Sequence, residues 1–554
     1  MTIDPITLEV IRNGLVAVAE EMNANLIRTG YSPNIKERQD CSCAVFDASG
    51  DMVSQAENIP VHLGAMPFSV AAAIDEFPIE TLAPGDGILL NDPFRGGAHL
   101  PDLTLITPIF VEGTLTAFAA NRAHHADVGG SRAGSVAADS SEIYQEGIRI
   151  PPVRLLEKDR LVEDVVAMIL ANTRAPDERR GDLRAQAAAN RTGRRRVEEL
   201  VTRHGADTIR EATEAVKTYS ERRMRSEIAG IPDGTYEFSD VIEDDGRGNT
   251  DLTIAVEVRI DGETVAVDFE GCDAQTEGAV NAVFAVTASA TYYALRCLTD
   301  PEIPPNAGCY RPIDISAPSG SIVHAEPPAA VVGGNLETSQ RIVDVILGAF
   351  AGADPDRTVA ASQGTMNNVT LGGVDNAGQE YAFYETQAGG YGASGGQDGM
   401  DGVQVHMTNT RNTPIEVLET AYPLRVRRYS YRPDSGGAGE FRGGLGLRRD
   451  IEVQGETTTC SLLAERRRRA PFGIAGGGPG ERGEDYINQE GDWERIEAKS
   501  THQLTTGDVL SVRTPGGGGF GDPDDRALAA IDRDLREGKL TQEAAAETYG
   551  YRVE

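Results

Sequence analysis

The first periodic stretch is amino-terminal, where Ile11, Leu15, Val18, Met22 and Leu26 recur three or four residues apart and predict one buried helix face. Asp4-Pro5 supplies an N-cap acid followed by proline at the first helical position, and Gly30 suits the place just past the end. From Ser32 to Gly64 short strands and turns follow, among them CSCAVFDASGDMVSQ, a predicted hairpin turning from Asp47 to Asp51. Pro84 to Gly87 turns the chain into the strand ILLND, and LTLITPIFVEGTLTAFAANRA reads as two strands around Glu112-Gly113. Between Asp177 and Gly230 the spacing becomes helical, broken at His204-Gly205 and restarted at Asp207, which predicts a helical hairpin. After Pro232-Asp233-Gly234 short strands return, with one helix from about Glu337 to Ala349 and two closing helices, Pro523 to Glu537 and Thr541 to Thr548.

These patterns give an α+β fold class: a mixed N-terminal domain with a helical hairpin, followed by a glycine-rich, β-rich C-terminal half. The expected division is 1–176, an α+β region carrying the candidate metal site; 177–230, the hairpin; 231–522, β-rich and glycine-rich; and 523–554, the closing helices. Stretches such as ETQAGGYGASGGQDG, FRGGLGLRRD and TPGGGGFGDP predict tight turns and close backbone approach.

Candidate chemistry concentrates between Asn91 and Gly130, which holds three of the eight histidines. His99 and Asp102 stand in the spacing H-x-x-D, and His124 and Asp127 repeat it one predicted hairpin later. Imidazole nitrogen and carboxylate oxygen suit Zn, Mn, Fe or Ni, so two facing pairs predict a site for one or two divalent ions. The same residue types in glycine-rich loops also serve as caps and hydrogen-bonding groups. Pro101 excludes a helix interior, so His99 and Asp102 must converge through a turn. Asp40, just before the first hairpin, and His62 in PVHLG are further candidates, and Glu142 and Glu146 lie near the glycine-rich loop DVGGSRAGS.

Composition narrows the partners. The net charge is −34 and only five of the 52 basic residues are lysine, a balance that repels nucleic-acid phosphates and anionic membranes. It fits adaptation to high salt, where screening over about 3 Å at 1 M tolerates surface repulsion. With no apolar run near the roughly 20 residues of a span, no secretory leader pattern and six cysteines without a CxxC pair, the expectation is a soluble, reduced, cytoplasmic protein. Two motifs occur by letter only: Gly390, Gly392 and Gly395 match G-x-G-x-x-G, and Gly392, Ser394 and Gly396 match G-x-S-x-G, without the helix each requires next. The single Gly-Lys pair, Gly538-Lys539, precedes leucine, so no P-loop is recognisable. The run Arg466 to Arg469 predicts either an anion or partner contact or a packed ion-pair network.

The segments SPNIKERQDCSCAVFD, IPVHLGAMP, NDPFRGGAHLPDLTLITPIF, AHHADVGG, YQEGIRIPP, RPIDI, GTMNN, YETQAGGYGA, NTRNTPIEVLE and PGGGGFGDP occur in order from about residue 32 to 523. Together they resemble the hydantoinase B family, which includes the B subunit of ATP-dependent N-methylhydantoinase, the C-terminal half of 5-oxoprolinase, the caprolactamase β subunit and the acetone carboxylase α subunit. The resemblance implies a divalent metal, Mn or Zn, with His99, Asp102 and His124 as matching ligands and Asp40 as a further acid serving as ligand or general base. Asp127, His125 and His62 then become supporting residues. It also implies a partner A subunit with an actin-like ATPase fold that phosphorylates a cyclic amide or imide, a hetero-oligomer in which the partner uses the ATP and no motif of this chain binds it, and ring opening here by activated water. Backbone N–H groups at Gly96-Gly97 and Gly129-Gly130 are candidates to receive phosphate or oxyanion. The competing readings are a ketone carboxylase of the acetone type, marked by a small third subunit, and a non-catalytic scaffold for the ATPase.

Overall fold

The hairpin predicted around Glu112-Gly113 forms the centre of a seven-stranded sheet. Its strands are β1 (Cys41–Asp47), β2 (Met52–Gln55), β3 (Gly87–Leu90), β4 (Asp102–Val111), β5 (Thr114–His124), β6 (Val153–Glu157) and β7 (Arg160–Leu161), in the order β2-β1-β5-β4-β3-β6-β7. This is a computed structural model, and it describes residues 3–56, 58–375 and 378–551. Among them, no helix is long and apolar enough to cross a membrane.

The sheet is covered on both faces, which explains why β4 is apolar through most of its length. One face meets the helix Pro5–Thr29, whose Ile11, Leu15, Val18, Met22 and Leu26 pack with Cys41, Cys43, Val45, Ala119 and Ala123. Asp4 caps that helix, accepting from the N–H groups of Ile6 and Thr7. Gly30 follows its end with φ −58°, outside the left-handed region. Packing requires glycine there, because a Cβ would stand 2.7 Å from Ile35 Cγ2. The predicted hairpin, Pro176–His204 and Ala206–Ile228, lies on the same side. The opposite face is covered by Pro60–Glu76, with Met66 and Val70 against Phe46, Ile88, Leu90 and Phe118. This helix corrects the reading of PVHLG as strand and turn: Pro60 occupies the first turn, where its missing N–H costs nothing.

A four-stranded sheet, Gly234–Asp244, Thr250–Asp261, Thr264–Asp268 and Ile313–Ser316, packs on the helix Ser339–Ala353. That helix begins two residues later than expected, behind a π-turn over Gly334–Thr338. The remaining strands form one four-stranded and one five-stranded sheet around Val369, Leu371, Phe383, Ile451, Leu462, Leu510 and Val512. Glycine lets neighbouring backbones touch here: a Cβ on Gly516 would lie 1.7 Å from the carbonyl oxygen of Ser435. At the carboxyl end, the α-helices are Leu528–Arg536 and Gln542–Tyr549.

The arginine run is a packed network. Arg466 reaches Asp240 and Asp344 at 2.8 and 2.7 Å, Arg467 clamps Asp485 at 2.8 and 3.0 Å, and Arg468 and Arg469 pair with Asp244 and Asp251. The backbone N–H groups of Arg467, Arg468 and Arg469 also donate to Glu243. The run therefore ties the C-terminal sheets to the strand Gly234–Asp244.

Candidate metal centre

Antiparallel pairing builds the site. Asp102, the first residue of β4, stands directly opposite His124, the last residue of β5. His99 arrives from the preceding loop, whose return is closed by the N–H of Asp102 donating to the His99 carbonyl at 3.1 Å. Asn91 clamps this loop, donating to the Leu100 and Ile148 carbonyls at 2.7 and 3.0 Å and accepting from the Ile150 N–H at 2.7 Å. At Gly96, φ is +88° and a Cβ would sit 2.3 Å from the Phe68 carbonyl oxygen, so only glycine fits.

His99 Nε2, Asp102 Oδ1 and His124 Nδ1 form a triangle with sides of 3.1, 3.2 and 3.2 Å, and these residues are at most 3% exposed. Metal–ligand distances of about 2.0–2.1 Å give a tetrahedral edge of about 3.3 Å, so the donor set has the spacing of ligands around one divalent ion. Burial raises the pKa of Asp102, but His99, His62 and His124 outweigh it and hold the carboxyl well below its usual value. Burial also lowers the pKa of His99, which favours its neutral form, and Asp102 only partly opposes this. An anionic carboxylate beside neutral imidazole is the protonation state that binds metal.

The other candidates separate. His62 reaches from its helix to place Nε2 3.3 Å from Asp102 Oδ1, with Nδ1 3.4 Å from Ser42 Oγ. Asp40 is brought beside the site by β1–β5 pairing, its carbonyl accepting from the His124 N–H at 3.0 Å. Its carboxylate stands 3.8 Å from His62 Nε2 and 3.8 Å from Arg38 Nη2, so in this structure it meets the triangle through His62. The picture of two facing H-x-x-D pairs is corrected. Asp127 is consumed by its own loop, accepting from the N–H groups of Gly129, Gly134 and Arg174 and from Arg174 Nη1, all at 2.9 Å. His125 Nε2 lies 3.0 Å from Gln186 Oε1, and burial pushes its pKa down to about 4. The N–H groups of Gly97 and Gly129 are likewise taken, by the Asp92 carbonyl and by Asp127.

Four residues from the second half of the chain complete the surroundings. Asn335, in the π-turn, places Nδ2 3.4 Å from His99 Nε2. The Tyr384 ring stacks on His124 with centroids 4.9 Å apart, and its hydroxyl donates to Asn368 Oδ1 at 2.9 Å. Asn368 Nδ2 in turn donates to Glu337 Oε1 at 2.7 Å, and burial pushes the Glu337 carboxyl up to about 7. Sequence reasoning passed over all of these. Asn335 and Glu337 sit in VVGGNLETSQ, where the helix was the visible signal, while Asn368 and Tyr384 stand in GTMNN and YETQAGGYGA without a metal-ligand spacing.

The hydantoinase B/oxoprolinase family pattern matches residues 4–523. The chain belongs to that family. It is 38% identical over 542 residues to 5-oxoprolinase 1 of Arabidopsis thaliana, covering 94% of this chain but 42% of that protein, so it spans about two fifths of the relative. A Pseudomonas sp. strain NS671 protein, provisionally named as the B-type subunit of a D-/L-hydantoinase, is 33% identical over 572 residues, covering 100% of this chain and 95% of that one. Among solved structures, the ATP-dependent caprolactamase of Pseudomonas jessenii superposes with a TM-score of 0.94 at 31% identity, over 100% of this chain and 97% of the other. The α+β fold is shared with that caprolactamase.

Proposed function

We propose that this chain is the B-type subunit of an ATP-dependent hydrolase of cyclic amides or imides, working with a hydantoinase A-type ATPase subunit. The observation that carries the reading is the buried triangle of His99 Nε2, Asp102 Oδ1 and His124 Nδ1 with sides of 3.1–3.2 Å. The names of the relatives support the substrate class, and the subunit designation of the Pseudomonas sp. protein supports the partner.

A cyclic amide resists attack because its nitrogen donates into the carbonyl. Phosphorylation of the oxygen by the partner subunit removes that resonance and creates a leaving group. His99, Asp102 and His124 would hold a Mn or Zn ion, which when bound would supply Lewis acidity to water. His62 orients Asp102, Tyr384 fixes the His124 ring by stacking, and burial excludes bulk solvent. Asp40, facing His62 from 3.8 Å, is assigned as ligand or general base.

The test coexpresses the A-type partner and measures ATP turnover and ring opening with 5-oxoproline, hydantoins, larger lactams and acetone. His99→Ala and Asp102→Ala should each lose bound metal and ring opening. Retention of both metal and full activity would overturn the site, and stimulation by acetone alone would overturn the substrate class.

A further inference from the structure

The metal-centre residues His62, His99, Asp102 and His124 are at most 3% exposed, yet hydrolysis must exchange protons with solvent. When water opens the phosphorylated amide, its oxygen bonds to the carbonyl carbon and the broken C–N bond leaves its pair on nitrogen, which takes up the protons the water brings. A second water then displaces phosphate from the acyl carbon, giving a carboxylate and releasing a proton that must leave the site.

Several buried polar atoms lie on the helix segment behind Asn335 and on the stretch that carries His406. Asn335 Oδ1, Gln340 Oε1, Asp344 Oδ1 and both ring nitrogens of His406 have no hydrogen-bond partner among the described residues. The π-turn followed by an α-helical turn brings Asn335, Gln340 and Asp344 to one side of the helix Ser339–Ala353. Gln340 Nε2 donates to the Val405 carbonyl at 3.0 Å, which holds that face against the segment carrying His406. His406 Nε2 then lies 3.7 Å from Asp344 Oδ1. Its ring sits beside Tyr391 and Tyr293, at centroid distances of 5.5 and 5.9 Å. Tyr293, together with Asn58, Ser289 and Cys297, lines a surface cavity of about 580 Å³.

Buried polar groups are nearly always partnered, and groups left without protein partners in a polar setting are served by ordered water. Neither ring nitrogen of His406 has a hydrogen-bond partner among the described residues, and the residue is held at φ +49°. We propose that these side chains line a water-filled seam through which protons pass between the metal centre and the cavity at Tyr293, with His406 as the relay. Burial supports this by keeping His406 uncharged, its pKa pushed down to about 3; Asp344 is pushed up by burial against Arg341 and Arg466, which ion-pair with its other oxygen. A neutral imidazole with both nitrogens on water takes a proton at one and releases one from the other. His406 thus acts through water and not on the substrate.

The kinetic part rests on the hydrolase reading above, and the structural part does not. A crystal structure of the Mn-loaded protein at 1.5 Å or better should show ordered waters on Gln340 Oε1 and on a His406 nitrogen, and a dry seam overturns the inference. In complex with the ATPase partner, His406→Asn keeps a residue type that tolerates positive φ, and Gln340→Leu blocks the seam independently. Each should lower kcat for ring opening about 10²-fold, with KM and metal content unchanged, and imidazole should restore His406→Asn. Wild-type kcat in both variants overturns the relay, as does loss of kcat together with metal or fold, or failure of imidazole rescue. If the wild-type complex opens no cyclic amide, the hydrolase reading fails and the water map alone decides the seam.

Discussion

His62 provides the sharpest test of how the ligand set is held. Its Nε2 is 3.3 Å from Asp102 Oδ1 and its Nδ1 is 3.4 Å from Ser42 Oγ, and the residue is 2% exposed. His62→Leu removes both polar contacts while keeping an apolar side chain on the helix Pro60–Glu76. A hydrogen bond to a charged group contributes about 1.5–3 kcal/mol. Loss of a residue orienting a metal ligand costs about 10–100-fold in affinity, or about 1.4–2.8 kcal/mol at about 1.4 kcal/mol per decade. The two estimates agree, so the metal Kd should rise about 10–100-fold. The assay strips the protein with a chelator, restores Mn or Zn in competition with a fluorescent indicator, and compares Kd with the melting temperature. A Kd within about twofold of wild type, with a lowered melting temperature, would show that His62 only packs and would refute the reasoning.

Two further outcomes follow from burial. Glu146 accepts from the N–H groups of Val331 and Val332, and burial pushes its pKa up to about 8. Between its ordinary range and about 8 the folded state binds the extra proton, so this group's stabilisation is complete at low pH and is lost as pH rises, by up to about 1.4 kcal/mol per pH unit. Glu146→Gln should flatten the fall in melting temperature from pH 6 to 8, and an unchanged slope would show that Glu146 is already ionised at pH 6. Within the arginine run, Arg467→Ala strands the fully buried Asp485 and should cost about 3–5 kcal/mol. Arg469→Ala, at a pair 52% and 56% exposed, should cost less than about 1 kcal/mol. Urea denaturation checks both, and equal costs would refute the distinction.

The legible parts of the fold were those with strong local signals. Asp4-Pro5 and the Ile11-to-Leu26 spacing fixed the first helix, and Glu112-Gly113 fixed the hairpin that brings His124 to Asp102. The site was legible where ligand-type residues lie close in sequence. Asp127 misled because its spacing copies that of Asp102, and only the fold shows its carboxylate turned to Arg174 and the loop N–H groups. Asn335 and Tyr384 were hidden because contacts across 236 and 260 residues leave no periodic trace. The start of Pro60–Glu76 was hidden because Ile59 offers no side-chain cap and Pro60 also suits a turn.

The pairing of Asp102 with His124 makes the centre a gauge of strand alignment. Slipping β4 against β5 by one residue would turn one of the two side chains to the opposite sheet face and dissolve the triangle. The pair lies at the open end of the hairpin, and a register irregularity at Ile109/Phe110 stands between it and the tip at Glu112-Gly113. An ion bridging the open end would fasten the two strands in the one alignment that can hold it.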